Sequence, residues 1–158
     1  MLFEPVKSRK ELIPQMLWFS IWTFVTVVGL VLKPDPAGHG THQQLGLPPC
    51  PSALLFDRPC PGCGLTTSWT ALLHGQWAFA FQAHPLGPIL YVGFTATAIL
   101  AIYGFFTLRR LVSNSLPASR LLCACAVVFL VFGLARMALT PHFRTLKENR
   151  IFNQVASR

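Results

Sequence analysis

Hydrophobic and polar positions alternate on a long scale: three apolar runs of spanning length are separated by short polar or charged breaks. The first extends from Pro14 to Leu32, with Gln15, Ser20, Thr23 and Thr26 as its only polar residues. A helix in lipid tolerates such groups because they bond to its own backbone. The second extends from Leu86 to Leu108 and stops at Arg109 and Arg110, and the third from Leu121 to Thr140, closed by Pro141. These runs predict transmembrane helices over 14–32, 86–108 and 119–140, with a short polar turn from Ser113 to Ser119.

The stretch from Leu65 to Ala83 is also apolar, but contains His74, Gly75, Gln76 and Gln82. In helical phase Thr66, Thr70 and His74 form a polar stripe opposite Leu65, Trp69, Leu72 and Leu73. That pattern predicts two short amphipathic helices broken at Gly75, interfacial or re-entrant; a fourth span is the alternative. His84-Pro85 ends the segment, because the residue before proline is pushed out of the helical region.

Composition supports a membrane protein. Hydrophobic residues make up 53% of the chain, charged ones 11%, and the mean hydropathy is +0.50; soluble domains carry roughly a quarter charged residues. At 158 residues the chain allows one compact domain. The expected fold is an all-α integral membrane protein with three transmembrane helices, the 65–83 segment, a cysteine-containing loop over 33–64 and a basic tail over 141–158. The net charge of +8 sits in groups beside the apolar runs, which fits anionic lipid headgroups rather than nucleic acid. The first run is too long for a signal-peptide core and lacks a small-x-small cleavage site before Lys33 and Pro34, so it reads as an uncleaved anchor. Lys7, Arg9, Lys10, Arg109, Arg110 and Arg120 favour a cytoplasmic N-terminus and an extracytoplasmic cysteine loop. Arg144, Lys147, Arg150 and Arg158 favour a cytoplasmic tail, which requires the fourth span; both arrangements leave the cysteine loop outside.

Trp18, Trp22, Trp69 and Trp77 lie near predicted ends, as interfacial aromatics do. Arg136, near the end of the third run, is expected to extend to the interface or to pair with an acid such as Asp57. Asp35 and Asp57 are the only acids between Glu11 and Glu148, so the chain lacks the paired carboxylates of hydrolytic or glycosidic sites.

The candidate chemistry lies in Cys50 and in Pro59-Cys60-Pro61-Gly62-Cys63-Gly64. Pro61-Gly62 is a natural turn pair that brings two sulfurs together. Tetrahedral zinc needs four ligands: Cys50, Cys60 and Cys63 supply three, and His42 or His39 is the candidate fourth, His42 preferred. A zinc ion or a disulfide would also staple a long loop that has no evident structure of its own. The same atoms permit a redox reading, because a helix starting near Gly64 would place Cys60 and Cys63 at its positive end, where thiolates are favoured. Cys123 and Cys125, two residues apart, cannot pair within a helix and are expected to be small buried residues. Three classes therefore stand: a metal- or disulfide-stapled loop supporting a membrane partner or lipid, a membrane thiol–disulfide oxidoreductase using Cys60 and Cys63, and an interaction protein whose loop is only scaffold.

The ordered set Cys50-Pro51, Pro59-Cys60-Pro61-Gly62-Cys63-Gly64-Leu65-Thr66, Leu72-Leu73-His74-Gly75 and His84-Pro85-Leu86-Gly87 resembles the small bacterial membrane proteins of the domain of unknown function 2752 family. The likeness covers about residues 41 to 90, and Gly40-Thr41-His42 through Pro49-Cys50 resembles a subgroup with a histidine before the first cysteine. The chain departs at Thr67, where arginine is common, and at His84, where asparagine is common. The resemblance implies a multi-pass protein of the bacterial inner membrane and brings no activity with it.

Overall fold

Pro14 stands in the first turn of helix α1 (Ile13–Val31), where its missing N–H leaves no hydrogen bond unmade. Pro88 plays the same part in α5 (Gly87–Phe106). The computed structural model describes residues 3–6, 8–111 and 116–156; Lys7, the 113–115 portion of the expected polar turn and Arg158 lie outside the described residues. Among the described residues three segments are long and apolar enough to cross a membrane, Arg9–Val31, Gly87–Phe106 and Ser119–Leu139, the last within α6 (Leu116–Leu139). The chain is an all-α membrane protein apart from a two-stranded antiparallel ribbon, β1 (Phe3–Pro5) with β2 (Arg109–Leu111), pairing Glu4 with Arg110. The sequence pattern did not predict this ribbon, which ties the start of the chain to the end of α5. Buried Gln15 reinforces the junction by donating to the carbonyls of Ala101 (3.2 Å) and Arg109 (3.4 Å).

Helices α1 and α5 pack together, joined by Trp18 Nε1 to Thr97 Oγ1 (3.1 Å), Trp22 Nε1 to Thr95 Oγ1 (3.0 Å) and Thr26 Oγ1 with Tyr91 Oη (2.8 Å). Each indole N–H thus has an acceptor on the neighbouring helix, a polar tie of the kind that joins membrane helices. Ser20 and Thr23 return their hydroxyls to the carbonyls of Met16 and Phe19, both at 2.9 Å.

The 65–83 stretch forms α3 (Leu65–Leu73) and α4 (Trp77–Ala83), broken at Gly75 with φ +74°. At nine and seven residues they reach about 14 and 11 Å, well short of a hydrocarbon core about 30 Å thick. Neither is long enough to cross a membrane by itself. The expected polar stripe is exposed at Thr66 and His74 but not at Thr70. Thr67, Ser68, Thr70 and Ala71 are the buried residues of α3, whereas Thr66 and His74 are exposed and the large apolar residues only half-buried. Small side chains let α3 approach its neighbours closely, while Trp69 packs on Tyr91 and Phe94 and Leu73 lies against Gly29.

The cysteine loop is structured, with a 3₁₀ turn at Thr41–Leu45 and the short α2 (Pro51–Phe56). Its ties are polar: Gln44 bonds both the N–H (3.2 Å) and carbonyl (2.6 Å) of Lys33, and Thr41 Oγ1 meets Thr67 Oγ1 (2.8 Å) while accepting from the Asp35 N–H (3.0 Å). The tail forms α7 (Leu146–Ala156), opened by a reciprocal capping box in which the Thr145 N–H donates to Glu148 Oε2 (2.8 Å) and the Glu148 N–H to Thr145 Oγ1 (3.3 Å). His39 Nε2 meets Glu148 Oε2 (3.1 Å) and Asp57 Oδ1 accepts from the Arg144 N–H (2.7 Å), so the tail lies beside the cysteine loop.

Candidate metal centre

Cys50 is the residue before α2, with Pro51 opening the helix. Cys60 and Cys63 bracket a tight turn closed by the Cys63 N–H to the Cys60 carbonyl (3.0 Å). Gly64, with φ +87°, then starts α3 against the carbonyls of Ala83 and Gly38, a left-handed conformation with no room for a Cβ. From the other side α6 seals the turn. Gly133 lies flat against Pro61, Arg136 donates to the Cys63 carbonyl (Nη1, 2.7 Å) and the Ala83 carbonyl (Nη2, 3.0 Å), and Arg58 reaches back to the carbonyls of Met137 and Ala138 at 2.8 and 2.7 Å. His84, fully buried, donates from Nε2 to the Pro61 carbonyl (3.0 Å). The motif thus hangs from α6 by side-chain bonds to its main chain.

These constraints bring the sulfurs of Cys50, Cys60 and Cys63 within 4.8 Å of one another, with Cys60 and Cys63 at 3.1 Å. Three sulfurs about 2.3 Å from a common ion lie about 3.8 Å apart in tetrahedral geometry, a value between those two distances. All three are free thiols; Cys63 is buried and the other two half-buried. They open onto a cavity of about 300 Å³ whose wall includes His39, His42, Thr66 and Thr67.

His42 therefore borders the site, but its Nε2 lies 3.2 Å from the Pro48 carbonyl and it is not part of the sulfur cluster. His39 is committed to Glu148 on one ring nitrogen and to the Ala37 carbonyl (3.2 Å) on the other. Burial raises the Cys50 thiol, but the Ala53 amide, the Cys63 and Cys60 thiols and the Ser52 amide outweigh it, so its pKa is lowered. Cys63 moves the other way, raised by its burial and by the Cys60 and Cys50 thiols. Burial lowers the His84 pKa, against the Pro61 carbonyl, and the Arg136 charge adds to the lowering.

Two expectations are corrected. Cys123 and Cys125 are exposed on α6, on a lipid-facing surface, because α6 meets the rest of the fold through its C-terminal half. Arg136 does not pair with Asp57, which bonds Arg144 and His142. The roles of Arg136 and His84 were hidden from the sequence because their partners are main-chain carbonyls, whereas the Thr145-x-x-Glu148 spacing was a readable cap signal.

The sequence model of the family described as "Protein of unknown function (DUF2752)" matches residues 50–98. That segment runs from the first cysteine through α4 into α5, so the resemblance holds over the three thiols and the helices that position them. No curated protein and no solved structure matches the chain.

Proposed function

We propose that Cys50, Cys60 and Cys63 together hold one thiophilic metal ion, which fastens α2 to the turn before α3 and makes the loop a rigid platform at the membrane surface for a protein partner or lipid. The observation that carries this reading is the convergence of three free sulfurs from two chain segments on one point. Zinc fits the donor set with His42 as the fourth ligand, once its ring leaves the Pro48 carbonyl. The platform lies on the extracytoplasmic side of the bacterial inner membrane. Cys60→Ser should raise protease sensitivity across 33–64 while the protein stays in the membrane; unchanged proteolysis would remove the stapling role.

The 3.1 Å contact between the Cys60 and Cys63 sulfurs favours a second reading, thiol–disulfide exchange. One thiolate attacks a substrate disulfide and displaces one substrate thiolate. The other then attacks the mixed disulfide, leaving Cys60–Cys63 oxidised and the substrate as two thiols. Cys63→Ser would trap the mixed disulfide on Cys60, and no trapping under mild oxidation would count against exchange.

A further inference from the structure

Of the donors around the cavity, only sulfur converges. Among the described residues the group of metal-competent side chains contains Cys50, Cys60 and Cys63 and no histidine or carboxylate. His42 is carried by the 3₁₀ turn Thr41–Leu45, set by left-handed glycines at Gly40 (φ +94°) and Gly46 (φ +78°), and its Nε2 is occupied by the Pro48 carbonyl. His39 is buried at 5% exposure with both ring nitrogens engaged. The fourth direction from the sulfurs is the cavity itself.

Soft thiolates suit zinc and copper(I) alike, but a structural zinc site is almost always closed by a fourth protein ligand, so a sphere that stops at three sulfurs favours copper(I). We infer that the site takes copper(I) in a three-coordinate, all-sulfur sphere whose open side faces the cavity, so that the ion enters and leaves by ligand exchange rather than remaining as a permanent staple. This rests on the three-sulfur metal site proposed above and replaces its zinc staple with an exchanging copper(I) ion. Three surroundings support it. The cavity gives an incoming thiol direct access to Cys50 and Cys60, both half-buried. Cys63 lies behind them at 6% exposure and anchors the ion from the protein side. Arg136, bonded to the Cys63 carbonyl, sets a fixed positive charge beside a centre that carries net negative charge once three thiolates bind a monovalent ion. Loading moves no electrons: copper(I) displaces the thiol protons, and exchange replaces one protein sulfur by a donor thiolate at a time.

The test uses the full chain in lipid nanodiscs, reduced and free of oxygen, titrated with copper(I) against a chromophoric copper(I) chelator and separately with zinc against a zinc indicator. The expected result is one copper(I) per chain, X-ray absorption with sulfur and no nitrogen neighbours, and affinity unmoved by His42→Ala. Cys50→Ser should lower that affinity by more than about 100-fold, the upper end of what even an outer-shell partner costs. Circular dichroism and the absorption spectrum of the loaded wild type keep the result meaningful if that variant folds poorly. Zinc bound with three sulfurs and one nitrogen, lost in His42→Ala and not displaced by copper(I), would overturn the inference and leave the stapled platform standing. Neither metal held more tightly than by a chain with Cys50, Cys60 and Cys63 all changed to Ser would end both.

Discussion

Arg136→Leu is the sharpest perturbation of the site that touches none of its sulfurs. The guanidinium fork holds two carbonyls at once, Cys63 at 2.7 Å and Ala83 at 3.0 Å, and so joins α6 to both ends of the α3–α4 segment. A hydrogen bond to a charged group contributes about 1.5–3 kcal/mol net, and two from one fork are not additive, so about 2 kcal/mol is a conservative loss. Leucine adds no donor and leaves both carbonyls unpaired. At 1.4 kcal/mol per tenfold, the equilibrium for opening the turn away from α6 rises about 30-fold. Cys63, 6% exposed at the back of the cavity, reacts with an alkylating reagent too bulky for that cavity only through such opening. The assay is alkylation of the reduced, metal-free protein, resolved at Cys63 by mass spectrometry, with Cys123 and Cys125 changed to alanine because both are exposed. Cys63 should label about 30-fold faster in Arg136→Leu. Arg136→Lys should fall between, since a single ammonium cannot span both carbonyls. A Leu variant labelling within about twofold of wild type, the scatter of an indifferent surface substitution, would refute the account of Arg136 as the clamp.

Glu148 gives a pH prediction. Burial opposes its charge, but the Thr145 amide and His39 outweigh it, so its folded pKa lies below the ordinary carboxylate value. The stabilisation is therefore complete above that ordinary value and is lost as pH falls through the depressed one. The protection of α7 amides relative to their intrinsic exchange rate at each pH should fall on that descent and become less pH-dependent in Glu148→Gln; equal protection at both ends of the range would discount the latch. Gly64→Ala places a Cβ at φ +87° against two carbonyls and should cost more than about 1–2 kcal/mol, visible as a lower unfolding temperature of the purified protein. A variant as stable as wild type would mean that α3 starts differently. Gly133→Val drives a branched side chain into Pro61 and should release α6, exposing Arg58 and Arg136 to trypsin; unchanged cleavage would contradict the docking.

The spans were legible because lipid imposes one rule on every position of a helix that crosses it: be apolar, or bond locally. Pro14–Leu32 and Leu86–Leu108 satisfy it, and the corresponding helices differ from those limits by only one or two residues. The break at Gly75 and the stop at His84-Pro85 were legible for a similar reason, since both act on the local backbone. The burial of Thr70 on α3 was not. Thr66 and His74 are exposed as the stripe implied, but Thr70 lies with Thr67 and Ser68 against protein, where only small side chains let the segments approach closely.

The site divides along the same line. Cys60 and Cys63 were paired by a local turn, and their spacing announced it. Cys50 joins them through the fold of the whole cysteine loop, whose 3₁₀ turn and α2 rest on side-chain bonds to backbone such as Gln44 to Lys33 and Arg144 to Ala53. A main-chain carbonyl looks the same at every residue, so a sequence offers no mark of which one an arginine will reach. That is why Arg136 read as a charge seeking water when it is bonded to Cys63 and Ala83. It is also why His42, suited by type to complete a zinc site, is instead engaged by the Pro48 carbonyl. A ligand set inferred from residue types is therefore an upper bound on the set the backbone leaves free. At this site the sulfurs are free and the imidazoles are bound, and that difference argues for an all-sulfur ion over a mixed one.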